Sequence, residues 1–206
     1  GRVPDAVAGA ECWISSIRGN DGYYGPAIGP ERVSVRYCGP AFDWRYEGLL
    51  DGFCHMHRAT GHARYLDWVA RDMEEMAANQ LPDGAFRNSY FEFNPFEGGM
   101  PHEPAVVAAA CRARQALCQA GRPVPRACDA MLERFVERRL LNELWSRLLR
   151  TFNDWLQSDF EWYTPHAVAA CIELLAAYAD LTGARERLAP YIEGAARSIT
   201  SVQQSR

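Results

Sequence analysis

No lysine occurs in this chain: all 22 basic residues are arginine. That removes an internal Schiff base, and with it pyridoxal-phosphate enzymes and lysine-based aldolases. The bias fits the codon usage of a GC-rich, bacterial genome. No CxxC pair occurs either, and the seven cysteines (Cys12, Cys38, Cys54, Cys111, Cys118, Cys128, Cys171) are odd in number, which points to a reducing, cytoplasmic setting. Cys111 and Cys171 lie in alanine-rich runs, where a thiol serves as a small apolar filler. There is no phosphate-cradling glycine loop, serine elbow or HExxH, so neither a metal nor a cofactor is expected. A net charge of −4 without basic stripes gives no reason to expect nucleic acid. The most apolar stretch is interrupted by Glu173 and Asp180, so no membrane span is expected. Residues 1–20 carry Asp5 and Glu11 and lack the continuous apolar run of a signal peptide. The chain opens on Gly1 rather than Met, which leaves room for an upstream segment.

What is present is helical periodicity with a long repeat. Leu49, Leu50, Phe53, Met56 and His57 fall on one helical face, and Tyr65, Leu66, Val69, Met73 and Met76 repeat the pattern after a Thr-Gly turn. Gly61 sits where a helix ends in a left-handed residue, a conformation cheap mainly for glycine. Counterpart glycines follow at 121 and 183, spaced 60 and 62 residues apart. Each is preceded by an apolar helix (43–59, 104–120, 165–181) and followed by a more polar one (63–80, 125–139, 185–203). An Asp-Gly loop recurs as Asp21-Gly22 and Asp83-Gly84, 62 residues apart, with both aspartates suited to Asx turns. The expectation is a single all-α domain over residues 1–206. It comprises an orphan outer helix at 5–18 and αα-hairpins at 42–80, 103–139 and 163–204.

Two features depart from the repeat. Leu140, Leu141, Leu144, Trp145, Leu148, Leu149, Phe152, Trp155 and Leu156 form an amphipathic stripe where the third Asp-Gly loop should fall. It reads as an extra helix packed on the core, or else as one contacting a second subunit. Long loops rich in glycine, proline and aromatics occupy 20–41 and 82–102, and loops of that length are often functional. Tyr23, Tyr24, Tyr90, Phe91, Phe93 and Phe96 could line a cavity or anchor the loops, and the segment VSVRYC could form one short strand.

The TG-x-x-x-YL turn around Gly61 and the Gln80-x-x-Asp83-Gly84-x-Phe86 segment resemble the (α/α) toroid proteins. The style is similar to six-hairpin glycosidases, glucuronyl hydrolases and sugar 2-epimerases. The Gln80–Phe86 segment also resembles the QW repeat of squalene and terpene cyclases, with Phe in place of Trp. The resemblance implies αα-hairpins curved into a toroid, with ligands handled at the mouth where inner helices begin. A closed ring needs about twice the hairpins present here, so it implies an arc of a larger ring, or one completed by a homo-oligomer or another subunit. The DxDD and DDxxD clusters of the cyclases are missing.

In register, the inner-helix starts read Asp43-Trp44-Arg45-Tyr46-Glu47, His102-Glu103-Pro104 and Glu161-Trp162-Tyr163-Thr164-Pro165-His166. Acids beside aromatic platforms suit sugar chemistry, one carboxyl protonating the leaving oxygen and another acting as base or nucleophile. Glu103, Asp43, Glu47 and His102 are the candidate catalytic residues. Trp44, Arg45, Tyr46, Tyr24, Asp159, Glu161, Trp162, Tyr163 and His166 are the candidate substrate-binding residues. The competing structural reading is that acids near helix starts cap free N–H groups and complement the helix dipole. His55 and His57, two residues apart on one helix, are expected to face opposite sides and not to share an ion. Three functions remain open at this stage. They are a glycoside hydrolase or epimerase acting on a small-molecule or oligosaccharide substrate, a terpene or prenyl cyclase-like protein with an aromatic cavity, and a non-catalytic repeat scaffold binding a protein.

Overall fold

The computed structural model describes residues 5–17, 42, 44–87, 102–145 and 165–204. These form helices α1 (Asp5–Ile17), α2 (Trp44–Thr60), α3 (Arg64–Ala78), α4 (His102–Gln119), α5 (Cys128–Glu133), α6 (Pro165–Thr182) and α7 (Arg185–Gln204). A π-helical segment, Arg134–Leu144, continues α5 without a break. No strand occurs among the described residues; a lone antiparallel bridge joins Gln80 to Phe86. The segment VSVRYC, the loop aromatics, Asp21 and the stripe beyond Trp145 lie outside the described residues. None of the described helices is long and apolar enough to cross a membrane.

Helix α2 turns directly into α3, and α6 into α7, each pair packing along its length. The turn glycines Gly61 and Gly183, together with Gly121 after α4, all have φ between 64 and 72°. At the first turn Gly61 N–H donates to the His57 carbonyl at 2.7 Å, closing the end of α2. Helices α2, α4 and α6 lie side by side with α4 in the middle, and α4 also meets α3 and α5. A helix with neighbours on so many sides must be apolar nearly all round. Val106, Val107, Ala108, Ala109, Ala110, Cys111, Ala113 and Leu117 of α4 are all at zero exposure. The alanines keep its girth small enough for both flanking helices to approach.

The far layer is pinned by Tyr65, Leu66, Val69, Met73 and Met76 of α3, all buried as the periodicity predicts. Beyond residue 139, where the repeat predicts a helix end, the chain runs on as the π segment. The buried residues Phe135, Val136, Leu140, Leu144 and Trp145 recur every four to five positions. An i→i+5 helix carries more residues per turn than an α-helix, so it keeps that wider spacing on one face. Trp145 N–H closes the segment on the Leu140 carbonyl, five residues back. Edge-to-face packing of Trp145 on Tyr191, and the Arg187–Glu137 ion pair at 2.5 Å, tie the segment to α7. The Leu140–Trp145 part of the stripe is therefore an extension of an existing helix packed on the core.

Cys111 and Cys171 are fully buried among apolar neighbours, as filler thiols should be. Burial raises both thiol pKa values above the ordinary 9.0, and it lifts Cys54 to about 11 and Cys128 to about 12. In the unfolded chain these thiols ionise near 9.0, so above that pH the unfolded state holds fewer protons than the folded one. Stability should therefore be intact below pH 9 and fall steadily as pH rises from 9 toward 12. Urea titrations at pH 8, 9, 10 and 11 would show it as a falling midpoint. Cys111→Ala combined with Cys171→Ala should flatten the fall while lowering stability at pH 8.

Candidate functional site

The Gln80–Phe86 segment resolves into a junction between layers. Gln80 lies just past the end of α3, and its carboxamide nitrogen donates to the carbonyls of Gly84 (3.1 Å) and Met131 (3.0 Å), while its oxygen accepts from Arg134 at 3.0 Å. Asp83 Oδ1 accepts the Ala85 N–H at 3.0 Å, the Asx turn expected of it. Gly84 has φ +96°, and a Cβ there would lie 2.9 Å from the Arg134 carbonyl oxygen. Only glycine meets both conditions. Phe86 is fully buried, its ring centroid 5.4 Å from Phe42 and 5.9 Å from Phe135.

Glu103 belongs to this junction. It lies in the first turn of α4 at zero exposure, and its Oε1 accepts the Phe86 backbone N–H at 2.8 Å. Arg139 approaches Oε2 at 3.8 Å and also pairs with Glu143 at 3.0 Å. The carboxylate thus joins the start of α4 to the loop leaving α3 and to the π segment. Tyr46 is likewise structural in its surroundings: it is buried, its ring meets Phe42 edge-on, and its hydroxyl donates to the Asp72 carbonyl at 2.9 Å. His102, half-buried, opens α4, and His166, exposed, lies in the first turn of α6. Asp43, Tyr24, Asp159, Glu161, Trp162 and Tyr163 lie outside the described residues, as do the side chains of Trp44 and Arg45.

Helices α2, α4 and α6 meet through a different set of charges. Arg112, midway along α4, forms a bidentate pair with Asp51 of α2, Nε to Oδ1 at 3.0 Å and Nη2 to Oδ2 at 2.6 Å. Its remaining nitrogen donates to Glu173 of α6 at 2.5 Å. One planar guanidinium therefore spans all three helices, a geometry lysine could not reproduce. Glu47, one turn before Asp51, completes the cluster. Burial is the chief cause that raises its pKa above 4.5; Glu173 and Asp51 push it the same way, and Arg112 opposes them.

Beside this cluster an open groove of about 550 Å³ runs between the C-terminal halves of α2 and α4. It is lined by Asp51, Cys54, His55, His57, Arg58, Arg112, Gln115 and Gln119, with Ala116 and Ala120 between them. Contrary to the expectation that they face opposite sides, both histidines border it, and they bond differently: His57 Nδ1 is 3.1 Å from the His62 carbonyl oxygen, and His55 Nδ1 is 2.9 Å from Arg58. Among the described residues, no group of three or more His, Cys, Asp or Glu side chains could hold a metal ion.

Asp51, Arg112 and Glu173 were not singled out by the helix-start register. Yet they stand 10, 9 and 10 residues before their turn glycines, so counting to mid-helix rather than to the helix start would have aligned them. Their opposite charges at one register position are the readable sign.

Junction and cluster should respond differently to mutation. Glu103→Ala leaves a buried backbone N–H without its acceptor and should cost about 1–3 kcal/mol, whereas Glu103→Gln keeps an oxygen there and should cost less. Gly84→Ala should cost about 1–3 kcal/mol through its strained φ and the clash with the Arg134 carbonyl. Arg112→Met should cost less than either, because its pairs are partly exposed. Urea unfolding of the four variants would rank them. No protein-family model, curated protein or solved structure matches this chain.

Proposed function

We propose that this chain is an αα-hairpin repeat protein of the (α/α) toroid type, or an arc of one, and that its inner helices carry out acid–base chemistry on a saccharide. The packed α2/α3 and α6/α7 pairs, and the placing of α2, α4 and α6 in one row, support the architecture. The observation that carries the chemistry is the gathering of Glu47, Asp51 and Glu173 around Arg112, of which Asp51 and Arg112 line an open groove.

Acid–base cleavage or epimerisation of a sugar needs one carboxyl that keeps its proton and one that stays ionised. Environments that push two carboxyls apart supply that division. Glu47, raised by burial and by its acidic neighbours, takes the part of the proton donor. Asp51 and Glu173, ion-paired to Arg112, take the part of the ionised partner. Glu103, enclosed and bonded to the Phe86 N–H, is assigned to the fold in this reading rather than to the reaction.

A panel of aryl glycosides and free aldoses tests it. Glu47→Gln should lower turnover by about 10²-fold or more while leaving the melting temperature within a few degrees. The wild-type rate should decline on the alkaline side at a pH above that of an ordinary carboxylic acid, because the donor must be protonated and its pKa is raised. Turnover unchanged in Glu47→Gln would remove Glu47 from the mechanism. Absence of both turnover and saccharide-induced stabilisation would remove the saccharide reading and leave the cyclase-like and protein-binding scaffold readings.

A further inference from the structure

The groove between α2 and α4 contains a guanidinium with no carboxylate partner among the described residues. Arg112 is taken up by Asp51 and Glu173, and Arg114, Arg122, Arg185 and Arg187 each have a carboxylate partner. Arg58, in the last turn of α2, lines the groove and is bonded instead to an imidazole: its Nη2 donates to His55 Nδ1 at 2.9 Å. A guanidinium has five N–H donors in a planar fork, and this contact uses one side of it.

The neighbouring groups have assignable hydrogen-bonding roles. A backbone carbonyl can only accept, so the 3.1 Å contact with the His62 oxygen assigns the proton of the neutral His57 ring to Nδ1. Nε2 of His57 is then an acceptor. By the same logic a guanidinium only donates, so the His55 ring accepts from Arg58, whose Nη2 lies 2.9 Å from Nδ1 and 3.4 Å from Nε2. Gln115 and Gln119 add carboxamides, each both donor and acceptor. Asp51 also borders the groove, but its two oxygens are held by Arg112 at 3.0 and 2.6 Å, so its charge is matched within the wall.

We propose that this groove binds a sugar-sized polyol carrying an oxyanion. The anion sits on Arg58, and the hydroxyl groups bond to His57, Gln115 and Gln119. A volume of about 550 Å³ falls in the range of small-molecule sites. A planar fork suits either a carboxylate or a phosphate, so a uronic acid and a sugar phosphate share the chemistry required. The inference rests on the saccharide reading above and names the class of ligand for the same inner surface.

Thermal shift and calorimetry of the full chain against glucuronate, glucose 6-phosphate, glucose and inorganic phosphate test the proposal. At least one of the two charged sugars should raise the melting temperature and bind at least tenfold more tightly than glucose. Whichever of them does so identifies the anion. Arg58→Gln should weaken that binding by about tenfold or more, the loss expected for a hydrogen bond to a charged group, with unchanged circular dichroism. Gln115→Ala should weaken it by a smaller factor. Equal binding of glucose, binding indifferent to Arg58→Gln, binding of inorganic phosphate as tight as of the sugar phosphate, or no binding to any of the four would overturn it. Glu47→Gln separates the two readings. Binding retained in that variant without turnover by the wild type keeps the groove and removes the acid–base chemistry. Turnover of neutral sugars independent of Arg58 does the reverse.

Discussion

The structure depends on one helix being small enough to be surrounded. Helix α4 meets α2 and α6 on its flanks and α3 and α5 behind it, so most of its surface is interior. Burying apolar surface is worth about 25 cal/mol per Å², but only if the neighbours close without voids. The run Ala108-Ala109-Ala110 with Ala113 allows that closure, since a larger residue at any of these zero-exposure positions would force a flanking helix outward. The polar groups of α4 are confined to its first turn, its last turns and the one stripe that carries Arg112.

Those polar groups then do two different jobs. At its start, Glu103 gives a buried acceptor to the Phe86 N–H, so the loop leaving α3 is held against the end of α4. The same loop is held from its other side by the Gln80 carboxamide, which reaches the Met131 carbonyl three residues before the π segment. Three aromatic rings, Phe42, Phe86 and Phe135, fill the space between these polar ties. Hydrogen bonds in such a dry junction matter chiefly because leaving one unmade is costly. In mid-helix Arg112 faces carboxylates on both flanks, and no equivalent apolar seal covers it.

Concentrating carboxylates around one guanidinium has an electrostatic consequence. Arg112 is matched by Asp51 and Glu173, and at a third acid, Glu47, burial and the charge of Glu173 outweigh its pull. Its proton is therefore harder to remove than an isolated glutamic acid's. The neighbouring groove offers the converse, a guanidinium held on an imidazole. A carboxyl that holds its proton and a guanidinium paired with an imidazole thus lie on one helix, α2.

The helices and their turns were legible in the sequence because they rest on local physics. Periods of three to four residues state which face of α2 and α3 is buried, and the spacing of Gly61, Gly121 and Gly183 places residues that need positive φ. Asp83 is legible as a turn residue because its bond to Ala85 spans only two residues. The role of Glu103 was not legible: its partners Phe86 and Arg139 are 17 and 36 positions away, and an acid in a helix's first turn looks the same whether it caps, catalyses or braces. The π segment was missed because its apolar spacing, counted at the α-helical period, reads as an ordinary amphipathic stripe. Where the helices run and which faces seek burial follow from neighbouring residues along the chain. Which charges meet does not, because Asp51, Arg112 and Glu173 lie 61 residues apart in succession and are joined solely by the packing of three helices.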